Sequence, residues 1–256
     1  MTTLRLTVEY DGRDFDGWAA QPGRRTCEQS LREALETLVR APVELRVAGR
    51  TDAGVSASGQ VVSAHTDAEP EPRRLLRGLP AVLPEDLCVR AVERTDDGFD
   101  ARRDAISRAY EYRVLNAVRS PLRRGRVLEH PQPLDLEAME SAARRAEGQH
   151  DFTAFTPTDT QHVFFDRTVL ASRWERRGDE LVYRVEANAF LRHMVRVLVG
   201  TMLEVGRGRR TPDDFARLLD GAPRTHAGPT APAHPLCLVG VAYPDGRAAQ
   251  GALAGT

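Results

Sequence analysis

The chain has 256 residues, of which 41% are hydrophobic, so it is long and apolar enough for one large domain or two modest ones. Its formal net charge of −1 argues against a uniformly basic nucleic-acid-binding protein. No apolar run approaches the roughly 18 residues of a membrane span, and the N-terminus lacks the pattern of a secretory signal, so we expect no contact with a membrane.

The cysteine and arginine content of the chain further narrows the class of protein to which it can belong. Cys27, Cys88 and Cys237 lie far apart and show neither metal-ligand spacing nor a disulfide pattern, so we expect no metal site and a reducing cytoplasm. The sequence contains no lysine, and its 36 Lys and Arg residues are therefore all arginine. Arginine has a planar fork that pairs with phosphates and stacks on bases. A composition bias explains most of these residues, and clusters such as Arg24-Arg25 and Arg102-Arg103 are the better guide to nucleic-acid contacts.

The first part of the chain predicts an alternation of strands and helices. The strand patterns alternate apolar and polar residues, whereas the helix patterns repeat apolar residues every three or four positions. The predicted strands are Leu4–Tyr10, Val43–Val47, Gly59–Ala64 and Leu87–Val92, and the predicted helices are Cys27–Arg40, capped by Thr26, and Arg73–Leu79.

A soft boundary near Ala105 separates this part from a second series of elements. We therefore predict two α/β halves, residues 1–105 and 106–245, and a disordered tail over residues 246–256. The second series comprises a strand over Ser107–Val114, a helix over Leu134–Glu147, a hairpin of residues 167–174 and 181–186, a helix capped by Asn188 that runs to about Val205, a helix over Asp213–Leu219 and a strand over Leu236–Val241. This order of elements is typical of an α+β protein with a mostly antiparallel sheet.

The most informative segment follows the predicted strand Val43–Val47. Residues 49–55 read Gly-Arg-Thr-Asp-Ala-Gly-Val. Glycine permits a close approach of another molecule, and Asp52 on this turn can present its carboxylate to a cleft that Arg50 also reaches. From residue types alone, an aspartate in a glycine-rich turn is more typical of a turn-former that bonds its own backbone.

The seven-residue string resembles the catalytic motif of the tRNA pseudouridine synthase A family, in which the aspartate is the catalytic residue. Further matches occur in order over roughly residues 4–244, among them Gly17-Trp18 with Gln21 and a Tyr-x-Tyr pattern at Tyr110 and Tyr112. The resemblance implies the pseudouridine synthase fold, in which two similar domains have joined sheets flanked by helices and an active-site cleft at their junction.

The resemblance also implies a set of site residues. Asp52 is the catalytic residue, Tyr110 binds the target base, and Arg50 helps to extrude that base. Arg196 keeps Asp52 ionised, because a nearby cation favours a charged carboxylate. The further candidates for contact with the substrate RNA are Arg24, Arg25, Arg102 and Arg108. The sequence departs from many relatives at Ser56, close to a position where they carry a histidine.

The implied reaction is the isomerisation of uridine to pseudouridine in the tRNA anticodon stem-loop, at positions 38, 39 and 40, by a homodimer that needs no cofactor. Asp52 begins glycosidic cleavage by attack on the sugar, by attack on the uracil or by proton abstraction from the ribose, and the sequence leaves all three routes open. Other open interpretations are a non-catalytic RNA-binding module and a pseudouridine synthase for another RNA. A hydrolase is disfavoured, because glycosidases generally need two carboxylates and no second acid accompanies Asp52 in the motif.

Overall fold

The computed structural model describes residues 1–160, 162–244 and 249–250. The strands are β1 (Thr2–Tyr10), β2 (Glu44–Val47), β3 (Ser56–Thr66), β4 (Leu87–Thr95), β5 (Ser107–Leu115), β6 (Leu128–Glu129), β7 (Gly148–Asp151), β8 (Asp166–Arg177), β9 (Glu180–Ala187), β10 (Leu236–Ala242) and β11 (Ala249–Gln250). The α-helices are α1 (Cys27–Val39), α2 (Pro72–Gly78), α3 (Leu136–Arg145), α4 (Met194–Gly206) and α5 (Pro212–Ala216).

The chain divides into two compact units. Met1–Arg108 and the segment from Cys237 onward form the first unit, and Ala109–Leu236 form the second. The predicted boundary is near residue 105, and the observed division follows Arg108. The predicted second half, however, included the last strand, which belongs to the first unit because β10 pairs in parallel with β3.

In the first unit, β1 lies between β4 and β3 and runs antiparallel to both. β2 pairs antiparallel with β3, and β11 pairs antiparallel with β10. The apolar side chains that alternate along β1, Leu4, Leu6 and Val8, are each at most 2% exposed. Helices α1 and α2 contact one another, and α2 contacts β4, so helices cover part of this sheet.

In the second unit, the strand order is β5-β9-β8-β7, and β6 pairs in parallel with the end of β5. β8 and β9 form an antiparallel hairpin in which Trp174 lies opposite Tyr183, and β7 is antiparallel to β8. Helix α3 packs against β8, α4 and α5. Helix α4 is buried along most of its length, as its nearly continuous apolar sequence predicts.

The predicted α+β class with mostly antiparallel sheets and flanking helices is confirmed. The joining of the two sheets and the cleft at their junction stay predictions. Within the described residues, no helix combines the length and the apolar character needed to cross a membrane.

Three local predictions were wrong. Asn188 does not cap a helix: its side chain accepts hydrogen bonds from the Thr168 and Ala189 amides, which ties the end of β9 to β8, and α4 begins only after His193. Thr26 occupies the N-cap position of α1 but makes no capping hydrogen bond. Part of the tail predicted as disordered, Ala249–Gln250, is strand β11, while residues 246–248 and 251–256 lie outside the described residues.

Candidate active site

Asp52 lies on the loop that connects β2 to β3. The Val55 amide donates to the Asp52 carbonyl at 3.1 Å and closes a turn in which Gly54 adopts a φ of +80°, a conformation that favours glycine. Asp52 is half-buried and Arg50 is exposed. The motif therefore forms a tight turn that carries the predicted catalytic carboxylate and the predicted base-extruding cation two residues apart. We call residues 48–55 the aspartate loop.

The segment after β1 holds the aspartate loop from one side. The Trp18 amide donates to the Thr51 carbonyl at 3.1 Å, and the Gly54 amide donates to the Phe15 carbonyl at 3.3 Å. Gly17 has a φ of +94°, and a Cβ at this position would lie 3.0 Å from the Thr51 carbonyl oxygen. Glycine is therefore favoured at position 17 both for its backbone conformation and for the close approach of the two loops.

Ser56 has a definite structural role. Its Oγ accepts a hydrogen bond from the Gly12 amide at 3.0 Å, at the point where the aspartate loop enters β3. A Cβ at Gly12 would lie 2.0 Å from the Val55 carbonyl oxygen, so the two backbones are in direct contact there. The serine thus contributes to the same attachment of the aspartate loop to the segment after β1.

A second group of contacts holds the aspartate loop from within the sheet, and sequence reasoning missed it. The Gln60 side chain, which is fully buried, donates to the Gly49 carbonyl at 2.7 Å and to the Tyr10 hydroxyl at 3.3 Å. The Tyr10 hydroxyl in turn shares a 2.8 Å hydrogen bond with Thr51 Oγ1. The available sequence signal was a glutamine directly before the apolar pair Val61-Val62 of the strand, since a buried polar side chain needs partners.

Arg108 also contacts the aspartate loop. It is 8% exposed, and its guanidinium donates to the carbonyls of Ala48, Arg102 and Ala105 at 2.7–3.0 Å. The side chain thus supports the protein backbone, and its contact with RNA stays a prediction.

Tyr110 and Arg196 lie in the second unit. Tyr110 is 8% exposed, and its ring packs edge-on against Phe190 with centroids 5.1 Å apart. Arg196 Nε donates to the Ala231 carbonyl at 2.9 Å, and the Tyr112 hydroxyl donates to the adjacent Pro232 carbonyl at 3.1 Å.

The strand β5 therefore carries two tyrosines with different surroundings. Burial raises the pKa of Tyr112 above its ordinary range, and the nearby Arg196 only partly opposes this, so Tyr112 stays a neutral hydrogen-bond donor. Tyr112 is therefore a core residue of the second unit. That Tyr110 and Arg196 meet Asp52 remains a prediction of the family resemblance.

The comparisons with known proteins agree with one another. A family model described as tRNA pseudouridine synthase matches residues 142–244. A tRNA pseudouridine synthase A from Methylobacterium nodulans is 44% identical over 248 residues, which are 96% of this chain and 97% of that protein. The one from Myxococcus xanthus is 44% identical over 253 residues, 98% of this chain and 95% of that protein. This chain belongs to the tRNA pseudouridine synthase A family.

A more distant likeness exists to a solved structure, an archaeal box H/ACA sRNP Nop10-Cbf5 complex. It is 14% identical, with a TM-score of 0.35, over 78% of this chain and 43% of that chain.

Membership of the tRNA pseudouridine synthase A family, which the sequence motifs predicted, makes the chain an enzyme of the isomerase class. Among the described residues, no group of three or more His, Cys, Asp and Glu side chains could hold a metal ion.

The remaining candidates for RNA contact differ in their surroundings. Arg102 is exposed, and Arg24 is exposed beside Asp16, with 3.7 Å between the charged atoms. Arg25 forms two hydrogen bonds of 2.7 and 2.8 Å with the Asp86 carboxylate, and its guanidinium lies 4.1 Å from the Phe15 ring centroid. Arg24 and Arg102 are therefore the candidates in the first unit whose side chains are more available to RNA.

Proposed function

We propose that this protein converts uridine to pseudouridine in the tRNA anticodon stem-loop, at positions 38, 39 and 40. The observation that carries the proposal is the 44% identity over 96% of the chain to a relative named tRNA pseudouridine synthase A. The aspartate loop supports it, because contacts on two sides hold the motif that bears Asp52 in one conformation.

The proposed reaction is an isomerisation, and its atoms balance without a further reactant. The bond from uracil N1 to ribose C1′ breaks, the uracil turns, and a bond forms from C5 to C1′. The proton on C5 leaves and N1 gains one, so there is no net oxidation or group transfer. The reaction accordingly needs no redox cofactor.

Asp52 is the proposed catalytic residue. The three routes of attack on the sugar, attack on the uracil and proton abstraction from the ribose all use a carboxylate held at the reacting nucleotide. A base inside a stem must leave the stack, at a cost of roughly a few kcal/mol. The exposed Arg50, two residues from Asp52, suits the proposed role of filling the vacated space.

The second unit supplies the other proposed site residues. Tyr110 is proposed to bind the target uracil, and Arg196 is proposed to be the cation that favours the ionised form of Asp52. Exposed arginines, among them Arg24 and Arg102, are proposed to contact phosphates, which would make tRNA binding sensitive to salt. We further propose that the protein acts as a homodimer, as the family resemblance implies, and that it acts in the cytoplasm, as the cysteine spacing indicates.

The main rival, a non-catalytic RNA-binding module, stacks RNA bases on exposed aromatic residues of its sheet. The aromatic residues of β5 do not suit that role, because Tyr112 is fully buried and Tyr110 is only 8% exposed. The burial of these two tyrosines therefore argues against a sheet that binds an extended RNA strand on β5.

The decisive experiment uses tRNA transcripts that carry tritium at uridine C5, since pseudouridine formation releases this tritium to water. The wild-type protein is compared with Asp52→Asn and with Asp67→Asn, an exposed aspartate of the same unit. We expect release by wild type and Asp67→Asn and none by Asp52→Asn, although all three bind tRNA. Release by Asp52→Asn at the wild-type rate would show that another residue is catalytic.

Transcripts with a single labelled uridine at position 38, 39 or 40 test the proposed target. Release from these transcripts, and none from a transcript labelled only outside the anticodon stem-loop, is the expected result. Release only from other positions, or only from another RNA, would move the activity to a different substrate. No release from any RNA that the protein binds would favour the RNA-binding module.

A further inference from the structure

Three side chains of the first unit form a hydrogen-bonded series that ends on the residue before Asp52. Gln60 on β3 is 0% exposed, Tyr10 at the end of β1 is 3% exposed and Thr51 in the aspartate loop is 7% exposed. None of them is an acid, a base in the neutral range or an exposed group that could meet RNA. Their position nevertheless connects the middle of the sheet to the proposed catalytic residue.

The geometry of this series fixes the aspartate loop at two points. Gln60 Nε2 reaches the Gly49 carbonyl at 2.7 Å and the Tyr10 hydroxyl at 3.3 Å, while its Oε1 accepts from the Val61 amide at 3.2 Å. The Tyr10 hydroxyl is 2.8 Å from Thr51 Oγ1. The attachment points, Gly49 and Thr51, are the third and first residues before Asp52.

A polar series of this kind has a cost that apolar residues would avoid. A buried amide or hydroxyl must have its hydrogen bonds satisfied, and a buried network is favourable only when every member is paired. Phenylalanine at position 10 and valine at position 51 would keep nearly the same shape and bury no hydroxyl. The series is therefore better explained by the orientation that it gives to the aspartate loop than by stability alone.

We propose that Gln60, Tyr10 and Thr51 are positioning residues that hold Asp52 in the orientation needed for reaction. The proposal rests on the proposed function, because it assigns these residues to the chemical step at Asp52. Loss of the Tyr10–Thr51 hydrogen bond would let the loop shift while the exposed surface stays the same. The rate of the chemical step then falls, and the affinity for tRNA does not change.

The test breaks the same hydrogen bond from either side. Thr51→Val and Tyr10→Phe each remove one hydroxyl, Thr51→Ser keeps the hydroxyl, and the double variant Tyr10→Phe/Thr51→Val removes both. We expect kcat for tritium release to fall about 10- to 100-fold in each of the two hydroxyl-removing variants, because small misplacements of a reacting group have effects of this size. KM and the dissociation constant for tRNA are expected to stay near the wild-type values, and Thr51→Ser is expected to restore most of kcat.

Tyr183→Phe is the matched control. Tyr183 in the second unit is fully buried, and its hydroxyl also shares a 2.8 Å hydrogen bond, with Ser172 Oγ. The substitution Tyr183→Phe therefore removes a buried hydrogen bond of the same kind as the Tyr10–Thr51 bond, but in the other unit and not at the aspartate loop. We expect a loss of thermal stability similar to that of Tyr10→Phe and a kcat close to that of wild type.

The kcat of the double variant Tyr10→Phe/Thr51→Val shows whether the two hydroxyls act through one shared hydrogen bond or through two independent effects. If Tyr10 and Thr51 act through one bond, the double variant has about the kcat of either single variant, because the second change removes nothing further. Effects that multiply, or a kcat in both single variants equal to that of Tyr183→Phe, would overturn the proposal. A wild-type protein that releases no tritium overturns the proposed function instead, and this is seen before any variant is compared.

Discussion

The guanidinium of Arg108 donates two hydrogen bonds to the carbonyl oxygen of Ala48, at 3.0 Å from Nε and 2.8 Å from Nη2, across 60 residues of sequence. Ala48 is the residue directly before the Gly-Arg-Thr-Asp motif. The same guanidinium also donates to the carbonyls of Arg102 and Ala105, so one side chain holds the start of the aspartate loop against the segment that leads into β5.

Replacement of Arg108 tests this role. Arg108→Met removes the donor from the buried Ala48 carbonyl and from the part-buried carbonyls of Arg102 and Ala105, and we expect the free energy of unfolding to fall by about 1–3 kcal/mol. Arg108→Lys should lower the free energy of unfolding less than Arg108→Met, because an ammonium group keeps hydrogen-bond donors although it lacks the planar fork of a guanidinium. Urea unfolding midpoints measure both. Arg144→Met, whose side chain is 72% exposed, is the control and should change stability by no more than about 0.5 kcal/mol. An equal loss of unfolding free energy in Arg108→Met and Arg144→Met would contradict the proposed support of the aspartate loop by Arg108.

Gly17 and Gly23 form a natural pair for testing the contact between the two loops. Both have a positive φ, of +94° and +70°, but a Cβ at Gly23 would meet nothing within 4 Å, whereas one at Gly17 would lie 3.0 Å from the Thr51 carbonyl oxygen. Gly23→Ala should therefore cost only the backbone strain, about 1 kcal/mol, and Gly17→Ala should cost roughly 1–2 kcal/mol more. Denaturant unfolding gives the two values. If Gly17→Ala were no worse than Gly23→Ala, the close approach would not matter.

Asp100 should make the stability of the first unit sensitive to acid. Partial burial opposes its ionisation, but hydrogen bonds from the Arg103 amide, the Arg46 guanidinium and the Arg102 amide outweigh it and lower the pKa of Asp100 to about 2. Since this pKa is below the value in the unfolded chain, the stabilisation is present above pH about 4 and is lost as the pH falls towards 2.

The variant Asp100→Asn isolates this effect. At pH 7 we expect it to lower the free energy of unfolding by up to about 2 kcal/mol, and the difference from wild type should shrink as the pH approaches 2. Unfolding curves recorded between pH 2 and 7 provide the measurement. A difference that stays constant over this range would mean that the ionised carboxylate is not the source of the stabilisation.

The cysteines should differ in their reactivity towards thiol reagents. Cys27 is fully buried, and burial raises the pKa of its thiol to about 12, whereas Cys88 is exposed. Because the thiolate is the reactive form, a disulfide reagent should label Cys88 rapidly in the folded protein and Cys27 only after unfolding. Mass spectrometry of the labelled peptides identifies the site. Equal labelling rates at the two cysteines in the folded protein would contradict the burial of Cys27.

Local sequence patterns predicted most of the elements because their causes are local. The alternation in β1 and the helical spacing in α1 follow from which side chains must face a core, and the ends of both elements agree with the structure within a few residues. The prediction that Asn188 caps a helix was wrong because its cause is not local. The Asn188 side chain accepts a hydrogen bond from the Thr168 amide on β8, and the sequence pattern of one segment does not show which strand lies beside it.

The motif around Asp52 was readable in the sequence because it is continuous, and the resemblance that it carries led to the correct family. The contacts that hold it could not be read in this way. Gln60, Tyr10 and Arg108 reach the aspartate loop from three different strands. An arginine looks the same in sequence whether it contacts RNA or a buried carbonyl.

By itself, the sequence determined the α+β class and most of the strands and helices, since these depend on residue types at fixed local spacing, and the continuous motif around Asp52 indicated the family. Only the tertiary structure decided that the last strand joins the first unit and that Arg108 is buried. It also decided that three polar side chains hold the residues before Asp52. Those outcomes depend on which distant segments meet, because burial and hydrogen-bond partners are set by the packing of the whole unit.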